Sequence, residues 1–326
     1  MALTMPRPAA PATMVPPSQA RPPVLPTDRL TAAARLRPDL RTELRRIPNV
    51  RNAFTVLFAW VQVIAPLVIA VRVGHPLIWV AAFIVEGRSF ALLAILAHEA
   101  AHRLLFTNHR ANDFVGTWLL AYPAFVPLEA YRQGHLAHHR DEMGPDEPDT
   151  QLYADYPISK ASMARKLTRD ALGVSGWKNF RALLGALRSK RGRPIVLQIL
   201  GVQAVLALIA VGVGHPWLWL LLWFAPWMTA WRVLNRLRAI AEHGGMVRSA
   251  DRRETTHVIH QSLMARFWIV PYNTGWHLAH HVDIAIPWRK LPALHDELVA
   301  GGWITPALEY RSYIALWRAL SSRPAA

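Results

Sequence analysis

The sequence predicts an all-α integral membrane protein: four transmembrane helices in two hairpins, with a cytoplasmic helical cap that carries clustered histidines. Three observations predict it. The 326 residues are 52% hydrophobic and only 18% charged, where an ordinary soluble domain carries about 25% charged residues. Four apolar stretches fall into two pairs, and each pair is joined by Gly-His-Pro: residues 71–76 read VRVGHP and residues 211–216 read VGVGHP. Nine of the 15 histidines stand in four boxes that flank these stretches.

The elements follow in order. Residues 1–50 form a Pro- and Arg-rich segment. Its first half holds Pro6, Pro8, Pro11, Pro16, Pro17, Pro22, Pro23 and Pro26, a composition that buries no core and reads as disordered. No apolar region of signal-peptide type follows it. Its second half carries Arg29, Arg35, Arg37, Arg41, Arg45 and Arg46, with Arg51 just beyond, which suits a short helix lying on a membrane surface. Residues 51–326 then read as one membrane domain. Residues 53–71 are uncharged and long enough to span as a helix. Residues 76–97 form a second span interrupted by Glu86 and Arg88. Charges inside a span are costly, so either they face a protein interior or the helix is displaced along the membrane normal.

Residues 114–128 are apolar but short, and Pro123 and Pro127 break them, so they read as an interfacial segment. Residues 140–193 are polar and basic and lie outside the bilayer, with Arg165, Lys166 and Arg169 placed either to meet lipid phosphate or a carrier, or to form a solvated face,. Residues 194–213 and 216–231 form the second hairpin, and each Gly-His-Pro reads as a tight turn. The two turns carry one arginine between them, Arg72, while 1–52, 140–193 and 232–326 hold nearly all the other cations. The positive-inside rule then puts both termini and the histidine boxes in the cytoplasm.

Net charge is +16, which suits an anionic lipid surface or an acidic protein; no nucleic-acid-binding motif accompanies it. There is no cysteine, which excludes disulfides, iron–sulfur clusters, haem-thiolate, Cys-ligated zinc and a cysteine nucleophile.

The boxes are His98-Glu99-Ala100-Ala101-His102, His135-Leu136-Ala137-His138-His139, the single His243 in RAIAEH, and His277-Leu278-Ala279-His280-His281. On a helix, positions i, i+3 and i+4 share a face, so each box presents its imidazoles together. The pentad HLAHH occurs twice, and clusters of this kind are metal-ligand patterns. Nine histidines suit two metals with four or five ligands each, and imidazole suits iron, copper and zinc alike. The other six, His75, His109, His215, His257, His260 and His295, read as surface or interface residues.

With these motifs the chain resembles the membrane fatty acid desaturase superfamily, the His-rich non-haem di-iron oxygenases. The resemblance covers about residues 50–300. It rests on HEAAH at 98–102, HLAHH at 135–139 followed by PDEPD at 145–149, RAIAEH at 238–243, and WHLAHH at 276–281 followed by Pro287-Trp288 and LPALH at 291–295. Ile284 stands where the family commonly has Pro, Asp283 precedes it, and Trp276 replaces a common Tyr.

The resemblance implies two Fe ions held by His98, His102, His135, His138, His139, His243, His277, His280 and His281. It implies O2 as co-substrate, and electrons from an external donor of ferredoxin, rubredoxin or cytochrome b5 type. It implies a lipid acyl chain as substrate, into which a double bond is inserted. Imidazole ligands usually donate their second N–H to a carboxylate, and Glu99, Asp141, Asp149, Glu242 and Asp283 are near in sequence, with Asn235 and Asn273 as candidates to hold a water. A lipid or carotenoid hydroxylase or ketolase of the same superfamily fits the same motifs. An intramembrane zinc protease would use HEAAH with Glu99 as base but leaves both HLAHH boxes without a role. A metal transporter would place histidines within the spans rather than beside them.

Overall fold

The computed structural model describes residues 13–23 and 26–323. A short helix α1 (Pro38–Leu44) leads into α2 (Asn49–Val73), and the first Gly-His-Pro turn reverses the chain into α3 (Pro76–Ala101). The turn residues do what their types allow. Gly74 takes the left-handed φ of +67°, open to glycine at no steric cost. The His75 ring accepts from the Leu77 N–H at 3.2 Å, and Pro76 opens α3, where its missing N–H is not needed.

Helix α4 (His109–Phe114) runs on as a π-helical stretch, Val115–Ala121, before α5 (Leu128–Arg140). The polar segment folds as α6 (Thr150–Tyr153), α7 (Lys160–Ala171) and α8 (Val174–Gly185), and leads into α9 (Gly192–Gly212). Past the second turn come α10 (Trp217–Trp219), a π-helical stretch Leu220–Phe224, α11 (Ala225–Met228), and a break at Thr229 before α12 (Ala230–His243). The chain closes with α13 (Arg252–Thr255), strand β1 (Val258–Ile259), α14 (Leu263–Trp268), α15 (His277–Val282), α16 (Leu291–Ala300), strand β2 (Glu309–Tyr310) and α17 (Tyr313–Leu320). The two strands pair in parallel, with Val258 opposite Glu309.

Helix α3 is the central pillar. Two thirds (67%) of its most apolar window is buried, against 22% for α2 and for α9, so those two turn most of their apolar surface outward. Exposed Phe54, Leu57, Phe58, Val61, Leu208 and Ile209 form those outer faces, which lipid would cover. Glu86 and Arg88 of α3 are buried. Arg88 donates to the Phe267 carbonyl and to Gln62 Oε1, both at 2.9 Å, so of the two readings of these charges the protein interior holds. Helix α12 crosses α3 closely at Gly87, where a Cβ would stand 2.5 Å from the Ala230 Cβ.

Three expectations change. Among the described residues, α2, α3 and α9 are the helices long and apolar enough to cross a membrane. The stretch expected as a fourth span, 216–231, is a chain of short pieces. From Trp217 to Met228 the helical rise is about 18 Å, short of the roughly 30 Å hydrocarbon core, and Thr229 (φ −126°, ψ −83°) ends it.

The segment 1–50, expected as disordered with a surface helix, lies partly outside the described residues. Within them, Leu30, Leu36, Leu40 and Leu44 are buried in the same core cluster as Leu291, Leu294 and Leu298. Leu40 and Leu44, four apart on α1, share one helix face,, while Leu30 and Leu36 bridge each other ahead of it; their burial outweighs the arginines between them. Residues 13–23 also hold defined contacts: Met14 N–H donates to the Gly245 carbonyl at 2.8 Å, and Arg253 to that of Pro22 at 3.1 Å.

The third change is His257. It is not at the surface but buried, with Nε2 at 2.8 Å from the Gly244 carbonyl, where it supports the turn after α12.

Candidate metal centre

Four helix ends meet at one place. His98 lies in the last turn of α3 and His102 is its C-cap residue; His135, His138 and His139 come from α5; His243 is the last residue of α12; His277, His280 and His281 line α15. All nine histidines singled out from the sequence are brought together, and all but His102 are buried. Their ligand atoms gather as His98, His102, His135, His139 and His280 on one side, and as the overlapping sets His138, His139, His281 and His243, His277, His281 on the other. None of His75, His109, His215, His260 or His295 joins these groups.

The donor set fits a metal. Nε2 atoms lie 3.0 Å apart in the pairs His135–His139, His139–His280, His243–His277 and His277–His281. Two imidazole nitrogens each about 2.1 Å from one ion and at right angles sit about 3 Å from each other. Nitrogens at that spacing that all face inward have no mutual hydrogen-bond pattern to satisfy them, whereas a shared cation satisfies every one. Burial pushes the imidazoles of His135, His139, His243, His277, His280 and His281 down, and that of His102 to about 4. They are therefore neutral near pH 7 and keep a free lone pair. His138 differs: burial lowers it, but the carboxylate of Glu147 at its Nδ1 and other nearby acids carry it above its ordinary value.

The outer partners are in part those expected. Glu99 Oε1 lies 3.5 Å from His98 Nδ1, and its other oxygen accepts from the Trp288 N–H at 3.3 Å. Glu242 lies 3.6 Å from His277 Nδ1 and accepts from Arg238 at 2.8 Å. Asp141 and Asp283 instead pair with Arg248 and Arg45, and Asn273 takes a hydrogen bond from Arg266 away from the centre. Two acids that sequence reasoning missed sit closer. Glu147 holds His138 Nδ1 at 2.5 Å. Glu142 holds His281 Nδ1 and also receives Arg252. The available signal was Glu142 standing four residues beyond His138; the return of Glu147 depends on how 141–149 folds back.

Two cavities reach the centre. One of about 220 Å³ is lined by Ala94, Val126, Leu152, Trp231 and Asn235 and opens on His135, His138, His243 and His277; Asp149 also lines it. The other, of about 530 Å³, reaches His139 and His281 between Arg35, Arg41, Arg45, Arg140 and Arg252.

Comparison with known proteins agrees with this geometry. Dihydrorhizobitoxine desaturase of Bradyrhizobium elkanii is 25% identical over 218 residues, 61% of this chain and 61% of that protein. The chloroplastic omega-6 fatty acid desaturase of Arabidopsis thaliana is 23% identical over 65% of this chain and 51% of its own length. The sn-1 oleoyl-lipid 12-desaturase of Arthrospira platensis is 22% identical over 72% of each chain. The chain thus spans somewhat under two thirds of the length of the first two relatives. The family model for fatty acid desaturases matches residues 74–313, from the first Gly-His-Pro turn to the start of α17. Matched over most of its length and with every histidine box inside the match, the chain belongs to the fatty acid desaturase family.

Proposed function

We propose that the protein is a membrane-bound di-iron desaturase that uses O2 and external electrons to insert a double bond into a lipid acyl chain. The observation that carries this reading is the convergence of nine imidazoles, from four helix ends, into one group of five and two overlapping groups of three. His98, His102, His135, His139 and His280 would hold one iron, and His138, His243, His277 and His281 the other. Bound iron supplies the activation of O2 needed to break an unactivated C–H bond.

The protein residues do the rest. Burial keeps imidazoles such as His135 and His277 unprotonated and ready to bind. Glu142 and Glu147 fix the orientation of the His281 and His138 rings from behind,. The 220 Å³ cavity, walled by Ala94, Ala97, Val126 and Trp231, offers an acyl carbon a water-poor place beside both groups. The arginine-lined cleft over His139 and His281 suits an acidic electron carrier of ferredoxin, rubredoxin or cytochrome b5 type. The membrane arrangement belongs to the same proposal: two hairpins, the second returning through the broken 217–228 segment together with the start of α12, with both termini and the histidine boxes on the cytoplasmic side.

The test is mass spectrometry of total lipids from cells expressing the protein, beside a His138→Ala control. A product lacking two hydrogens, absent from the control, supports the proposal and locates the double bond. A product that gains oxygen refutes desaturation and points to hydroxylation.

A further inference from the structure

The two histidine groups differ in what stands behind them. In the group of His138, His243, His277 and His281, every Nδ1 faces an oxygen. Glu147 holds His138 at 2.5 Å, the Thr255 carbonyl holds His243 at 2.8 Å, Glu242 lies 3.6 Å from His277, and Glu142 holds His281. In the other group three of the five rings lack a hydrogen-bonded partner behind them. Nδ1 of His98, of His139 and of His280 is buried with no hydrogen-bond partner, and the nearest acid to His98, Glu99, stays 3.5 Å away. Buried polar atoms without partners are rare in native proteins, and here three of them sit in one half of one centre.

A carboxylate or carbonyl behind an imidazole fixes its tautomer, orients its ring and raises its basicity as a ligand. Loss of such a partner typically costs 10–100-fold in metal affinity. The same chain has therefore built one metal position with hydrogen-bonded support on three of its four ligands, two of them from carboxylates, and one in which His98, His139 and His280 make no such bond. We propose that the two metal positions are unequal. The His138–His243–His277–His281 position binds first and tightly, held by Glu142, Glu147 and Glu242 as positioning residues; the His98–His102–His135–His139–His280 position binds second and exchanges its metal readily. His139 can lean toward either set, since its ring centroid is 4.3 Å from that of His281 and 4.7 Å from that of His280, so its unheld ring adjusts when the second metal leaves. This inference rests on the two-metal reading above.

The experiment is a titration of the metal-stripped, detergent-purified full chain with Co2+, followed by visible absorption, with thermal melting recorded at each step. Two equivalents are expected in two steps, with the first at least tenfold tighter. Glu147→Gln, which keeps shape and removes charge, should weaken the first step 10–100-fold and leave the second unchanged. His281→Ala should abolish the first step, and His280→Ala the second. Glu142→Gln is the second probe of the tight step, and melting of each metal-free variant against the metal-free parent establishes that it folds.

Two equivalents bound with equal affinity overturn the inference and leave the two-metal reading intact. A tight step that responds to His280→Ala and not to His281→Ala overturns it as well. One equivalent or none overturns both the inference and the two-metal reading beneath it.

Discussion

Gly87→Ala puts one methyl group into the close crossing of α3 and α12. Its Cβ would lie 2.5 Å from the Ala230 Cβ and 3.2 Å from the Ala230 carbonyl carbon. Carbon atoms in ordinary contact sit about 3.5–4.0 Å apart, so α3 and α12 must part by about 1 Å at this point. The obstacle is a Cβ and backbone, not the end of a flexible side chain, so it cannot swing aside. Overpacking of this kind costs about 1–3 kcal/mol, which for a chain of this size is on the order of 2–6 °C in melting temperature.

The effect on the site is larger than the effect on stability. Helix α3 carries His98 and α12 carries His243, which belong to different ligand groups, so the displacement changes the relation between the groups more than the geometry within either. A misplacement of about 1 Å costs on the order of 100-fold in rate. The assay is melting of purified protein and desaturated product formed per protein, beside Gly201→Ala on α9. At Gly201 a Cβ meets nothing within 4 Å, and replacing a helical glycine by alanine is worth about 0.5–1 kcal/mol in favour of the helix. Gly87→Ala with unchanged melting and unchanged turnover would refute the reasoning, as would equal losses in the two variants.

Three further outcomes are expected. Leu40→Ala, which empties a fully buried position of α1, should cost about 2–5 kcal/mol in a denaturation assay; no loss would mean that the arginine-rich segment does not pack. His257 lies in a site where burial pushes its imidazole down to about 4, while in the unfolded chain it takes a proton below about 6.5. Its contribution is thus complete above about pH 6.5 and is lost as pH falls toward 4, and melting against pH should show a flatter acid limb in His257→Gln than in the parent. Arg140→Glu at the cleft over His139 and His281 should slow turnover driven by an acidic ferredoxin, and added salt should erase most of the difference. Turnover driven by dithionite should not change; a loss under both reductants would place Arg140 outside carrier docking.

The histidine centre was legible because its ligands are local patterns. HEAAH and the two HLAHH pentads put their imidazoles on one face of whatever helix they form, and α3, α5 and α15 are those helices. His243 was legible only by its place after the fourth apolar stretch. The acids behind the ligands divide the same way. Glu99 and Glu242 each adjoin a box in sequence; Glu99 lies near a ring of its own box, His98, and Glu242 near His277 of another. Asp141 and Asp283 adjoin boxes equally well but turn outward to Arg248 and Arg45. Glu142 and Glu147 matter because 141–149 folds back over the boxes, and no residue type announces that path.

What the sequence by itself determined is whatever one helix or one turn can express. That includes the apolar lengths of α2, α3 and α9, the Gly-His-Pro reversals, and the ligand-bearing faces. Periodicity and residue chemistry act over a few residues, so they survive in any tertiary setting. Only the tertiary structure decided the rest. Arg88 became tolerable within a span because the neighbours of α3 accept its hydrogen bonds; the fourth apolar stretch became broken pieces; and Leu36, Leu40 and Leu44 drew an arginine-rich segment into the core. The inequality of the two histidine groups is of the same kind, since it is set by Glu142 and Glu147, which the fold of 141–149 brings into hydrogen bonds with His281 and His138. Such outcomes depend on which surfaces meet, and burial, not local propensity, is what sets the energy when they do.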